Sequence, residues 1–451
     1  MKRFLPLVLL SVLFAWSTAR GQNPNTSWLP VGLNGETGPI STLGESGVNQ
    51  LSLGIAGGVA YENASSNNSS EPAYENYTVN PSIAITESRP RTALSVQYSP
   101  GYTREQQGAG SQFMQTLLGS AQFRLSEKLT LQLSERYLRM NSWFTGLQVN
   151  PTQPGGNVIQ TPNESILTKG TVIASSISSL NLVYQASEST VAGIGGSFNT
   201  GNFSQVQITL NQPLFNFNSG SVNAYVSHRI QGSNWLGITG NFQRIDTTGV
   251  TKEGADNPSL QLFYTFAPSA HTSVSLFAGP SYFTSQAETA IDILGTSIPL
   301  TIPSHGWGTN FGTTLGWRAQ RTGISGMYMH RISDGGGLSG ATRSDSATVN
   351  LRRQLSQRWT ASGILIYGKN NSQSILYGAS FQQILGTANL NWALSEHFSM
   401  MLSYARDNLH SSYNNLIAGN TTVPTGTNNQ TINDNRAWAT ISYQFTRPLG
   451  R

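Results

Sequence analysis

The chain has 451 residues and carries little charge: 26 Lys and Arg against 21 Asp and Glu, with charged residues only 10% of the total. Ordinary soluble domains carry about 25%, and a nucleic-acid binder needs a clustered basic surface, which this sequence lacks. It has no cysteine, so disulfides and thiolate metal sites are excluded, and 10% aromatics is too many for a disordered chain.

At the N-terminus, Lys2 and Arg3 precede an apolar run from Phe4 to Trp16, and Ala19-Arg20-Gly21 offers the small residues that a signal peptidase reads. The run is shorter than the roughly 20 residues a spanning helix needs. Residues 1–21 are therefore expected to be a signal peptide, whose loss removes three cations and lowers the formal charge from +5 to about +2. Residues 22–48 follow as a leader, either periplasmic or acting as a plug.

Beyond the leader the hydrophobic pattern has period two. From Leu51 to Tyr61 the odd positions hold Leu, Leu, Ile, Val and Tyr, while the even ones hold Ser, Gly and Ala. The same alternation returns from Leu129 to Tyr137, where Glu135 falls in the apolar set, and from Arg436 to Phe445. Short turns punctuate it at Ser88–Arg91, Leu125–Leu129, Ala186–Thr190, Ile230–Asn234, Ala267–His271, Arg318–Arg321, Leu355–Trp359 and Leu394–Phe398. Three of these, Leu-Ser-Glu-Lys-Leu, Leu-Ser-Gln-Arg-Trp and Leu-Ser-Glu-His-Phe, are near copies. Eight hairpins plus an opening and a closing strand make eighteen strands, with sixteen as the neighbouring count.

Longer polar stretches separate the hairpins, at Asn63–Asn76, Thr103–Gln112, Asn141–Thr171, Asn199–Gly220, Thr247–Pro258, Phe283–Gly308, Ser333–Asp345, Gly368–Ile375 and Asp407–Asn435. These are expected to be loops. Aromatics recur just before the tight turns (Phe123, Tyr184, Phe266, Trp317, Trp392) and again about eight residues past them (Tyr137, Tyr367, Tyr404). At about 3.3 Å per residue and the tilt of a barrel strand, the two belts lie roughly 20 Å apart, close to the ≈25 Å apolar band of a membrane barrel. The expected fold is all-β: one closed antiparallel up-and-down transmembrane barrel over residues 49–445, with short periplasmic turns, long extracellular loops and a tail at 446–451. A soluble sandwich would need charges on its second face, where this chain has Ser, Thr, Gln, Asn and Gly.

The last strand, Ala439-Thr440-Ile441-Ser442-Tyr443-Gln444-Phe445, resembles the C-terminal signature of Gram-negative outer-membrane barrels, which alternates and closes on an aromatic. Here six residues follow Phe445. The resemblance implies recognition by the barrel-assembly machinery and residence in outer-membrane lipid. The whole layout is similar to porin-type barrels, although no acidic constriction loop of the kind general porins carry is found. That likeness implies a passive channel for small hydrophilic solutes. A plugged structural barrel and an outer-membrane component of polysaccharide export remain open.

By phase, Gln97, Gln132, Arg136, Asn223, Gln261, Asn350, Arg352, Asn389, Asn391 and Gln444 oppose the apolar set and are expected to line the lumen. Arg136 and Arg352 there could favour anions modestly, or serve as solvated wall residues. The six histidines, His228, His271, His305, His330, His397 and His410, share no ligand-like spacing. No cofactor, metal, nucleic-acid partner or enzymatic activity is expected, and the oligomeric state is unreadable. Around Phe203–Asn218, Val206, Ile208 and Leu210 alternate and leave the strand count open there.

Overall fold

The computed structural model describes residues 49–449 except 67–68, 71–72, 106–110, 141–170, 206–214, 249–251, 270, 294–295, 334–337, 339, 375–376 and 416–427. The expected signal peptide (1–21), the expected leader (22–48) and the Val206–Leu210 alternation lie outside the described residues. The first strands are β1 (Gln50–Ser66), β2 (Ser69–Ser70, a two-residue piece at the tip of the first hairpin), β3 (Tyr74–Arg89), β4 (Thr92–Glu105), β5 (Ser111–Arg124) and β6 (Leu129–Met140). Next come β7 (Thr171–Gln185), β8 (Thr190–Gln205), β9 (Asn216–Gln231), β10 (Asn234–Thr248), β11 (Lys252–Ser269), β12 (Thr272–Ile293) and β13 (Thr296–Arg318). The last are β14 (Thr322–Ser333), β15 (Thr342–Gln354), β16 (Trp359–Ser372), β17 (Tyr377–Ala393), β18 (Phe398–Asn415) and β19 (Asn428–Pro448). Each pairs antiparallel with its sequence neighbours, β1 with β3, and β1 closes on β19 from Gln50↔Pro448 to Ser66↔Ile432. Apart from the tip piece, eighteen strands form one sheet closed on itself. The closing strand runs three residues past Phe445, with Arg447 and Pro448 still paired to β1.

The two faces separate as the period-two pattern requires. Leu53, Ile55, Val59 and Tyr61 point outward, and Ile55 is 52% exposed, whereas Ser52, Ala60 and Glu62 between them are buried. Along β11, Leu260 and Leu262 are exposed while Gln261 and Phe263 are buried. Exposed leucines in an unbroken outer band would aggregate in water but dissolve in hydrocarbon. At the turn side the outer aromatics pack on one another across strands: Trp359 stacks on Trp392 with centroids 5.1 Å apart, and Phe398 tilts on Tyr443 at 4.9 Å.

The repeated Leu-Ser turns have a common chemistry. Ser126 Oγ accepts from the backbone N–H of Lys128 and Leu129 at 3.3 and 3.1 Å, and Ser356 and Ser395 do the same in their own copies. The serine hydroxyl thus replaces ladder partners where the chain reverses. In the β9–β10 turn Gly232 takes φ +57°, the left-handed conformation that a two-residue reversal needs.

Several stretches read as loops in the sequence are strands. Thr247–Pro258 contains only a short gap between β10 and β11, and Phe283–Gly308 is mostly a ladder in which β12 and β13 pair up to Ile293↔Thr296. Likewise β18 runs to Asn415 and β19 starts at Asn428, inside the expected loop Asp407–Asn435. Once past the apolar band, an outward residue is as content with Ser, Thr or Asn as a loop residue is, so polarity alone does not mark where pairing ends.

On the inner face a single device recurs over β8–β13. Five inward aromatics lie directly opposite inward glycines: Tyr225 and Gly193, Phe217 and Gly201, Phe263 and Gly237, Phe277 and Gly312, Phe283 and Gly306. A Cβ added at any of these glycines would overlap the facing ring. The rings therefore lie along the wall over the glycines, covering backbone that a glycine leaves bare. Gly237→Ala should destabilise the folded barrel by about 1–3 kcal/mol through overpacking. Gly240→Ala, whose Cβ would meet nothing within 4 Å, should be close to neutral. Urea titration of the lipid-embedded barrel measures both, and equal effects would remove the role assigned to the ring contact.

Candidate functional site

The closed sheet has one enclosed space, its lumen, so the candidate site is the inner wall. The register puts all ten residues singled out in the sequence on the inward face. They are not equivalent there. Asn223 and Gln261 are buried, whereas Arg352 is exposed beside the Leu355–Trp359 turn. Asn350 and Asn389 donate through Nδ2 to Ser325 and Ser362 on neighbouring strands at 3.4 and 3.5 Å.

The wall is more apolar and more acidic than the sequence suggested. Near the tight turns, Val191, Tyr225 and Trp235 form a buried cluster. At mid-height one apolar cluster contains Met140 and Ile173 from β6 and β7 together with Ile366, Leu385, Ala405, Trp438 and Ala60 from β16–β19 and β1. On the shorter way round the ring β3, β4 and β5 separate those two groups of strands, so apolar packing crosses the lumen at that level. Glu62, Glu253, Asp407 and Asp434 also face inward. Glu62 and Asp407 are buried, Glu62 with Arg436 Nη1 at 3.9 Å from Oε2 and Asp407 with Gln383 Nε2 donating to Oδ2 at 2.9 Å. Extending the alternation of Leu51–Tyr61 by one residue, or of Met401-Ser403-Ala405 by one step, would have placed Glu62 and Asp407 inward.

At the loop side the β14–β15 hairpin folds into the lumen. Pairing of β13 with β14 stops at Phe311↔His330, while β14 and β15 stay paired to Ser333↔Thr342. Freed from β13, the end turns inward. Ile332 donates its N–H to Asn310 Oδ1 at 3.4 Å and accepts at its carbonyl from Asn257 Nδ2 at 3.5 Å. Ile332 and Ala341 pack with Ile245, Ala255 and Phe283 on the inner wall, and Leu338 packs with Phe381 on β17 and Leu409 on β18, two and three strands beyond β15. Gly340, at φ +70°, donates its N–H to Thr247 Oγ1 at 3.3 Å and lies against the Glu253 carboxylate, which accepts from Ser285 Oγ at 2.6 Å. Here an acid, Glu253, lies on the wall and faces a glycine, Gly340, on the inserted segment.

A closed, even-stranded barrel with an outer apolar band, aromatic belts and short turns at one rim matches the architecture lipid permits in outer membranes. The chain is an outer-membrane β-barrel of porin-like architecture. No protein-family model matches it, and no curated protein matches it either. Among solved structures it is similar to the ferric-catecholate import receptor Fiu from E. coli K12, at a TM-score of 0.41 and 8% identity, over 86% of this chain and 81% of that one. It is also similar to Acinetobacter baumannii OccAB4 (0.38, 12% identity, 88% and 98%) and Pseudomonas aeruginosa OccK2 (0.37, 8% identity, 88% and 98%). Likeness at this level carries no argument of its own; the strand pairing does.

Outside the lumen, His228 faces lipid and shares a 2.9 Å hydrogen bond between Nδ1 and Thr190 Oγ1, and His330 Nδ1 lies 2.7 Å from Asp345 Oδ1. Among the described residues no three His, Cys, Asp or Glu side chains are grouped to hold a metal. Glu135 sits on the outer face, as its phase implies, and accepts from the hydroxyls of Ser176, at 2.7 Å, and Ser178. In a Leu338→Cys background, Gly340→Ala should loosen the inserted hairpin, because a Cβ meets both a left-handed φ and the Glu253 carboxylate. Labelling of the thiol by an impermeant maleimide should then speed up about tenfold, the scale of such strain. An unchanged rate would mean the Gly340 contact does not hold the hairpin.

Proposed function

We propose that this barrel is a passive channel for small hydrophilic solutes, narrowed by its inserted hairpin. The observation that supports this reading is the state of the inner-wall polar groups. Among the described residues, Asn223 Nδ2, Ser259 Oγ, Gln261 Oε1, Ser281 Oγ, Thr348 Oγ1 and Asn391 Oδ1 are buried without a hydrogen-bond partner. Each unmade bond of this kind costs about 1–3 kcal/mol, so a packed, dry interior would be expensive with them in place. Beside a wet lumen, water admitted by small side-chain movements would satisfy them. Eighteen strands enclose a bore of the width that holds an aqueous channel.

The mid-height apolar cluster favours a second reading, a barrel whose bore stays shut. Planar-bilayer recording of the full mature chain separates the two. Discrete conductance steps are expected, and liposome swelling should slow steeply as solute size rises. A folded barrel that stays silent would sink the channel reading, and conductance that starts only after deletion of residues 22–48 would make the leader a plug.

A further inference from the structure

We propose that the inner faces of β17, β18 and β19 form a binding track for a small neutral polyhydroxylated solute; this rests on the channel reading and names its substrate class. The residues are brought together by register. On β17 and β18, Thr387 pairs with Ala405 and Asn391 with Met401. On β18 and β19, Met401 pairs with Thr440, Ser403 with Trp438 and Asp407 with Asp434. Thr387, Ser403, Asp407, Trp438 and Thr440 are each less than one-tenth exposed. Thr387 Oγ1, Asn391 Oδ1, Ser403 Oγ, Asp407 Oδ1, Trp438 Nε1 and Thr440 Oγ1 are all buried without a hydrogen-bond partner among the described residues, and a solute reaches them by parting the packing of Met140 and Ile173 against Ala405 and Trp438. At about 3.3 Å per residue the rungs run roughly 20 Å along the strands.

The mixture of groups selects the ligand chemistry. Asp407 and Asn391 offer acceptors, Trp438 offers a donor, and the three hydroxyls can do either. An anion meets the carboxylates of Asp407, Asp434 and Glu62 against the one guanidinium of Arg436. A cation is drawn by those carboxylates, but it also meets the indole N–H and Arg436, whose guanidinium lies 5.7 Å from the Trp438 ring, and an apolar surface that offers nothing in place of its hydration. A neutral polyol matches the whole set, since every hydroxyl both donates and accepts. Its C–H faces match the intervening apolar surface of Leu385 and Ala405 and the Met140 and Ile173 side chains in the same cluster.

The test uses glucose as probe and gluconate as its charged counterpart, added to the purified full chain in a planar bilayer. Glucose should block the ion current, and gluconate should block it about tenfold less. Trp438→Phe keeps an aromatic ring, smaller than the indole, and removes the N–H, and Ser403→Ala removes one hydroxyl. Each should weaken glucose block about five- to tenfold, the scale of one lost hydrogen bond. Current without glucose block, or block unchanged in both variants, overturns the track and leaves the channel standing. If no current flows, the channel reading fails by itself. Tryptophan fluorescence of the detergent-folded barrel then decides the track: a glucose-dependent change lost in Trp438→Phe supports it, and no change overturns it.

Discussion

Everything in this fold depends on the pairing of β1 with β19. In hydrocarbon no water satisfies an open sheet edge, and each orphan N–H or C=O costs several kcal/mol. The ladder from Gln50↔Pro448 to Ser66↔Ile432 removes both edges at once. Closure then turns a sheet with two faces into a wall with an outside and an inside. The outside has one chemical task, to be apolar across the membrane. The inside is released from that task and carries whatever chemistry the chain has.

That division explains what a single sequence could reveal. The outer band repeats one demand on every strand, so Leu53-Ile55, Leu131-Leu133 and Ile441-Tyr443 announce themselves, as do the three near-copy turns in which a serine caps the reversal. The strand count follows. Alternation alone set the ten amides and arginines opposite the apolar residues of their strands. Two kinds of information were not legible. Pairing beyond the membrane leaves no hydrophobic trace, which is why β12 and β13 resembled a loop from Phe283 to Gly308. Cross-strand identity also lies outside the local pattern. That Phe263 faces Gly237, or that Asp407 faces Asp434, becomes visible only once the register is fixed. The inserted hairpin is of the second kind: nothing local to Gly340 points to Thr247 or Glu253.

The inner wall also differs around its circumference. Over β8–β13 the aromatics lie along the wall against glycines, so large side chains thicken the lining while adding little bulk to the lumen. Over β17–β19 the lining instead interleaves small polar groups with Leu385 and Ala405. The bridge between Met140 and Ile173 on one side and Trp438 and Ala405 on the other sets the apolar ends of β6 and β7 against the β17–β19 wall.

On the channel reading, that level is where selection happens. A solute passing between an apolar wall and a hydrogen-bonding one must give up water on both sides and recovers hydrogen bonds on one. For a neutral hydroxylated molecule the exchange is nearly balanced, because its C–H face loses little and its hydroxyls find partners. For an ion, the apolar side offers nothing in place of hydration, and narrow apolar constrictions exclude charge for this reason. Discrimination against charge therefore needs no ring of opposite charge in this barrel. It follows from setting Met140 and Ile173 across from Ser403, Asp407 and Trp438, and from a bore narrow enough that a solute touches both.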